Sequence, residues 1–246
     1  ARRLVAPMSG ERALPAVQIW RDYFTIWSYL WEGRPVLAEQ VGRLQHTRWE
    51  AEVGRRGLRA ATLGSLLAAA CWQQDFRSDA RALLADRLDV IEQASGYAGL
   101  IHAYLALARM AASESDEARA FACLEGLATI GECRGTVRLV VTSLSERVRL
   151  HAARQRPAQA AALLAELAAV VERSAMSSLL VPQVRLDCEM AQTLAGVAAG
   201  DLASADLHVA RAQELAAKLN RGYETIQVLV IQGLLGLGIG AALLIA

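Results

Sequence analysis

Lysine is almost missing from this chain: Lys218 is the only one, and every other basic residue is arginine or histidine. No basic cluster accompanies the bias. Arg55, Arg56 and Arg59 stand together, but they are too few to make the electrostatic footprint of a nucleic-acid domain. The formal net charge of +1 gives no overall field toward nucleic acid or an acidic membrane. Proline is scarce, with five in 246 residues, and no stretch alternates apolar and polar residues with β-branched enrichment. That argues against a sheet protein. The four cysteines, Cys71, Cys123, Cys133 and Cys188, have no CxxC spacing and no histidine at a ligand spacing. They read as small buried thiols of a reducing, cytoplasmic compartment, not as a disulfide framework or a metal set.

Catalytic signatures are missing as well. There is no GxxxxGK[ST], no HExxH and no GxSxG. The GLGIG at 236–240 lacks the preceding strand and downstream acid of a dinucleotide loop. His46, His102, His151 and His208 are scattered, and the last three fall in different helices as surface or half-buried residues. The acids stand mostly three or four residues from an arginine, as in Glu146 with Arg149 or Arg81 near Asp86, the pattern of a solvated helix face. We therefore expect no enzyme activity and no cofactor. The first residues, ARRLVAPMSGERALP, hold no apolar stretch long enough for a signal peptide. A chain opening on Ala1 without methionine is expected to be a piece of a longer protein.

What is present is apolar and helix-forming. Hydrophobic residues make up 54 %, and alanine and leucine dominate. A first helix is expected from about Ala16 to Trp31. It carries Trp20, Tyr23, Phe24, Trp27 and Trp31 on one face. Such a face suits either a ligand pocket or, more plainly, a bulky packing seam. Arg34-Pro35 breaks it, and a short second helix to about His46 leads into a connection over residues 48–57. Eight helices follow, over about 57–73, 77–94, 98–112, 116–133, 136–152, 157–173, 183–199 and 203–219, with SAMSSLLVP at 174–182 as a loop.

These helices pair. Each pair turns tightly and places an alanine just inside its second helix: Ala80, Ala120, Ala160 and Ala205, spaced by 40, 40 and 45 residues. A fixed period near forty on a helix-turn-helix unit is a repeat signature. Each pair has an apolar stripe too wide for its partner to cover, so the next pair stacks on it. The expectation is an all-α fold of helical-hairpin, tetratricopeptide-like repeats stacked into a right-handed α-α superhelix. An irregular helical bundle is the alternative. The expected divisions are an aromatic-rich segment over 1–56, a repeat array of about four pairs over 57–227, and an apolar terminal helix over 228–246. That last run, VLVIQGLLGLGIGAALLIA, has one polar side chain, Gln232. It is long enough to span a membrane. Its four glycines and lack of flanking basic residues favour the first helix of a truncated repeat, with apolar surface left open for self-association.

Several phrases together resemble a known family: WEAEVGRRGLRAATLGSLLAAACW, RALLADRLDVIE, IHAYLALARMAASESDEARAFACLEGLATIGECRG and RLVVTSLSERVRLHAARQR. The likeness spans about residues 35–235 and is to the tetratricopeptide-like repeat region of large bacterial LuxR-type transcriptional regulators of the MalT-like class. In that family an NTPase module and a DNA-binding helix-turn-helix flank the repeats. The repeats sense a small-molecule inducer or a regulatory protein and pass that state to the DNA-binding end. The resemblance implies the sensor and assembly middle of such a regulator, without nucleotide hydrolysis or direct DNA contact of its own. A generic scaffold that holds a peptide is the alternative. Helical offsets put His102, Arg109, Arg138, Arg149, Arg185 and Glu189 where the first helices of successive pairs would line a concave surface. Ordinary solvent exposure is the competing expectation for each.

Overall fold

The structure is a computed structural model and describes residues 15–174 and 181–236. Among the described residues every regular element is an α-helix: α1 (Pro15–Trp31), α2 (Pro35–Val53), α3 (Leu58–Gln73), α4 (Arg77–Leu84), α5 (Leu88–Ala94), α6 (Tyr97–Ser113), α7 (Glu117–Cys133), α8 (Val137–Ala153), α9 (Pro157–Arg173), α10 (Val181–Ala199), α11 (Leu202–Lys218) and α12 (Gly222–Gly236). The all-helical expectation holds. Residues 1–14, most of the expected loop at 174–182, and the last ten residues of the apolar terminal run lie outside the described residues. No described helix is long and apolar enough to cross a membrane.

The chain divides into two compact units, Ala1–Ser115 and Asp116–Ala246. In the first, α3 is the centre, and α1, α2, α4, α5 and α6 all pack on it. The sequence explains that position. From Ala60 to Cys71 helix α3 bears no charge, and every residue in that span is buried. A helix that is apolar or small all round has to lie inside its domain. Ile26 and Leu30 of α1, Ala38 and Trp49 of α2, and Leu63 and Leu66 of α3 form that core. In the second unit α8 touches α7, α9 and α10, then α10 carries α11 and α11 carries α12. Val141, Leu144 and Val148 of α8 meet Leu163 and Leu167 of α9 and Val184 and Ala191 of α10. Leu186 and Leu194 of α10 meet Val209 and Ala212 of α11 and Val228 and Ile231 of α12.

One turn recurs along the chain. Gly33, Asp75, Ser115, Gln155 and Gly200 all have positive φ, at 70°, 63°, 62°, 54° and 76°. In four of these turns the next residue closes the helix-ending bond of a Schellman motif: Arg34 N–H to Tyr29 O, Phe76 to Cys71, Arg156 to His151 and Asp201 to Gly196. Five residues beyond each of these five stands an alanine, Ala38, Ala80, Ala120, Ala160 or Ala205, and all five are buried, whereas the similar turns at Gly135 and Asn220 lead to Val140 and Thr225. The four alanines read from the sequence are therefore turn-locked positions, and Ala38 adds a fifth in the α1–α2 pair. The small side chain is required. In the α10–α11 pair, a methyl placed on Gly196 would lie 3.3 Å from the Ala205 Cβ.

Two expected boundaries change. Helix α2 does not stop near His46 but runs to Val53, because nothing in 47–53 breaks it and the first breaker is Gly54 at φ 79°. Trp49 is thus a buried helical residue, not part of a connection. Conversely, the single helix expected over 77–94 is broken. Ala85 is extended, Asp86 is left-handed at φ 57°, and the chain resumes as α5. The break turns Arg87 inward, where its side chain is 2 % exposed. An unbroken helix would have carried this charge without its buried partners.

Candidate functional site

The six residues expected to line a binding surface divide between the units. In the first, His102 and Arg109 lie two turns apart on α6, both half-buried. In the second, Arg138 is buried on α8, and its Nη1 donates to Asp187 Oδ2 on α10 at 2.5 Å. Arg149 donates through Nε and Nη2 to Glu146 Oε1, at 2.9 and 2.7 Å. Glu189 on α10 sits 2.7 Å from His208 Nδ1 on α11. Arg185 is exposed.

Three of the four in this unit are thus engaged with residues outside the expected set. Two corrections follow. Glu146 is buried, so its pair with Arg149 is not part of a solvated face. Arg81 pairs with Glu114, not with Asp86. Arg138, Thr142 and Glu146 follow one another at four-residue spacing along α8 and are all buried. They form a polar ridge inside an apolar helix pattern, and its two charged members are paired, Arg138 with Asp187 and Glu146 with Arg149. Thr142 Oγ1 and Ser145 Oγ are buried there with no hydrogen-bond partner among the described residues.

The turn supplies a register that the sequence reading lacked. Counting back six residues from each left-handed residue gives Trp27, Ala69, Arg109, Arg149 and Leu194. Counting back thirteen gives Trp20, Thr62, His102, Thr142 and Asp187. Three of the six expected residues fall in these two columns, and Asp187 is the partner of a fourth. In the first unit these positions run from aromatic through small to His102 and Arg109, and in the second they are Thr142, Asp187, Arg149 and the buried Leu194. Trp20 and Trp27 belong to the aromatic face read as a pocket or a seam, whereas Thr142 and Asp187 do not stand out in the sequence. The signal that points to Thr142 and Asp187 is the offset from Gln155 and Gly200, once those two positions are seen to be equivalent.

The aromatic end of the columns is a chain of rings on α1. Trp20 stacks on Phe24 with centroids 5.8 Å apart, Phe24 meets Trp27 at 5.9 Å, and Trp27 meets Trp31 edge-on at 5.2 Å and Tyr97 of α6 at 6.5 Å. Phe24 and Trp27 pack against the core of their unit, as a seam requires. Tyr23 is buried among them, and burial holds its phenol above the usual range. Trp20, by contrast, is 49 % exposed.

Among the described residues no group of three or more His, Cys, Asp or Glu side chains could hold a metal ion. The thiols differ in setting. Cys71 is buried, Cys123 and Cys188 are half-buried, and Cys133, expected inside, is exposed at the end of α7. Burial pushes the Cys71 thiol up to about 11 and Cys188 up to about 12, so neither is an activated nucleophile. No protein-family model, curated protein or solved structure matches the chain.

Proposed function

We propose that this chain is the helical-repeat sensor and assembly region of a LuxR-type transcriptional regulator of the MalT-like class. Its hairpins stack as tetratricopeptide-like repeats into a right-handed α-α superhelix. The observation that carries this reading is the recurrence, at five places along the chain, of one left-handed turn with a buried alanine five residues beyond it. A turn kept at a near-constant period makes each first helix present equivalent positions, which is how repeat proteins build extended binding surfaces. His102 and Arg109 in the first unit, and Arg149 in the second, are such positions, each within its own unit. They would take a small-molecule inducer or a regulatory protein in the cytoplasm. Contact with DNA would fall to a separate helix-turn-helix module, and assembly would run through the apolar C-terminal run. The chain itself performs no reaction in this reading.

The second reading, a scaffold that holds a peptide, draws on the half-exposed Trp20 ring and the aromatic row behind it. Aromatic rows of this kind suit extended, proline-bearing segments. The full reading frame of the source gene decides between the two. The regulator reading expects a nucleotide-binding module upstream and a helix-turn-helix downstream of these repeats. A frame that encodes neither removes the regulator and leaves the scaffold.

A further inference from the structure

The break between α4 and α5 is held by a cluster of buried Arg87, buried His46 and half-buried Glu50. Arg87 enters from the break, and its Nη2 donates to Glu50 Oε1 on α2 at 2.6 Å. Its Nη1 lies 2.8 Å from His46 Nε2, one turn earlier on α2. A guanidinium has only donors, so His46 Nε2 must be the acceptor. The ring proton is then on Nδ1, which faces Glu50 Oε2 at 3.7 Å. Helix α3 makes room with Gly64: a methyl there would lie 3.3 Å from His46 Nε2 and 3.4 Å from Arg87 Nη1. Arg87 Nε is buried with no partner among the described residues.

The charged groups that face His46 are Glu50 on its own helix, Arg87 from the α4–α5 break and Arg55 from the α2–α3 connection. Helix α3 presents Gly64 to it, and Asp22 of α1 is taken by Trp49 Nε1 at 3.1 Å. Burial, with the two arginines, holds the imidazole below its ordinary range, and Glu50 opposes them.

We propose that His46, Arg87 and Glu50 form a proton-operated latch: neutral His46 holds the α4–α5 corner closed, and protonated His46 releases it. Protonation adds a second N–H at Nε2, where an Arg87 N–H already points. A hydrogen bond becomes a donor–donor contact between two cations in a buried place, and the like charges repel. The corner is the part free to yield. Residues 85–87 are not helical, and the Arg87 N–H reaches Leu84 O only at 3.4 Å. Apart from Arg87, the polar ties across it are exposed: Arg55 donates to Ala82 O, and Arg56 donates to Asp86 O and Asp89.

The sign follows from the lowered histidine. Neutral His46 is favoured by the fold, so the contribution is fully present above the unfolded imidazole range of about 6.5. It is lost as pH falls through the folded value. This regulation is independent of the regulator reading, since it concerns only the closure of one corner.

The test is hydrogen exchange of the whole chain at pH 7.5 and 5.5, corrected for intrinsic rates, with an NMR titration of His46. Exchange over residues 84–92 is expected to quicken by up to about tenfold, the limit that one proton with an unfolded value of about 6.5 sets between these two pH values, while α8 keeps its protection. His46→Gln keeps an acceptor for Arg87 but cannot titrate, and its exchange over 84–92 is expected to be the same at both pH values. The wild-type titration stands without any variant: His46 is expected to titrate below the ordinary imidazole value. Titration at or above that value overturns the latch. So does unchanged protection of 84–92 in the wild type, or an equal loss of it in His46→Gln.

Discussion

Ala160 stands five residues beyond Gln155, and the left-handed turn at Gln155 brings its methyl into the core of the second unit. Gly200 and Ala205 hold the same relation one pair later. The two turns differ in the residue that bears the positive φ, and Asp201 also caps its helix by accepting from Ser204 N–H, which Arg156 does not do. A side chain in the left-handed region is strained, whereas glycine is not. Gln155→Gly is therefore expected to stabilise the chain by about 0.5–1 kcal/mol, and Gly200→Ala to destabilise it by about 1 kcal/mol. Nothing lies within 4 Å of a methyl added at Gly200, so that cost is purely backbone. Urea midpoints at constant slope check both. Equal effects of one sign would mean that the turns are not equivalent.

The buried alanine itself admits no larger side chain. Ala160 has no exposed surface and sits among Val141, Leu144 and Leu163. Ala160→Leu forces the pair apart, and overpacking of this kind costs about 1–3 kcal/mol. Ala158, three residues from the turn and exposed, serves as the control: Ala158→Leu is expected to change the midpoint little. A similar response at both positions would remove the close-approach role of Ala160.

Much of this architecture is legible in the sequence, and the gaps have physical causes. The spacing of Ala80, Ala120, Ala160 and Ala205 reads directly because each sits at a tight turn. Ala38 escaped because Gly33 is followed by Arg34-Pro35, which looks like a helix break of no particular register. The α4–α5 break was not readable, because RSDARALLADRLDVIEQ keeps a helical apolar stripe across it. Only the distant His46 and Glu50 make the inward turn of Arg87 favourable. The candidate residues were found by helical offset alone, and offset cannot tell a solvated arginine from one held by a carboxylate on the next helix. That is why Arg138 was named without Asp187.

Trp49 and Asp22 make a second buried polar tie. The indole Nε1 donates to Asp22 Oδ2 at 3.1 Å, and both side chains are buried. Arg48 and Arg59 lie over the indole, each 4.8 Å from the ring centroid. Trp49→Phe keeps most of the apolar contact but removes the donor. A buried carboxylate left short of a partner costs about 1–3 kcal/mol, and more when charged. We expect a lowered thermal midpoint for Trp49→Phe, with Asp22→Asn/Trp49→Phe losing less than the two single losses added. Strict additivity in that cycle would show that the pair is not coupled.

The cysteines give a reading of burial that needs no variant. Cys133 is exposed, Cys123 and Cys188 are half-buried, and Cys71 is buried beside Arg43. Only the thiolate attacks a disulfide reagent. Burial raises Cys71, Cys123 and Cys188 above the usual thiol range. A titration with such a reagent at pH 8 is expected to label Cys133 first and Cys71 last, with Cys71 reacting only on unfolding. Early labelling of Cys71, identified by peptide mapping, would contradict the placement of α3 at the centre of its unit.

The last prediction concerns assembly. On α12 the inner face is occupied: Val228 and Ile231 are buried against α11 and α10. The opposite face shows Ile226, Leu229 and Val230, each more than half exposed and separated by three and four residues, so they form one apolar row. A row of this kind is costly to leave in water, and the proposed assembly through the C-terminal run would cover it. Ile226→Glu with Val230→Glu places two charges on the row and leaves Val228 and Ile231 untouched. Sedimentation at several protein concentrations is expected to show a larger species for the wild type and a smaller one for the double variant, with helicity unchanged by circular dichroism. Deleting the run would be a poorer experiment, because it would strip Val228 and Ile231 from the core as well. If both proteins sediment as the same monomer, the row does not join two copies, and the assembly part of the proposed function falls while the repeat reading stands.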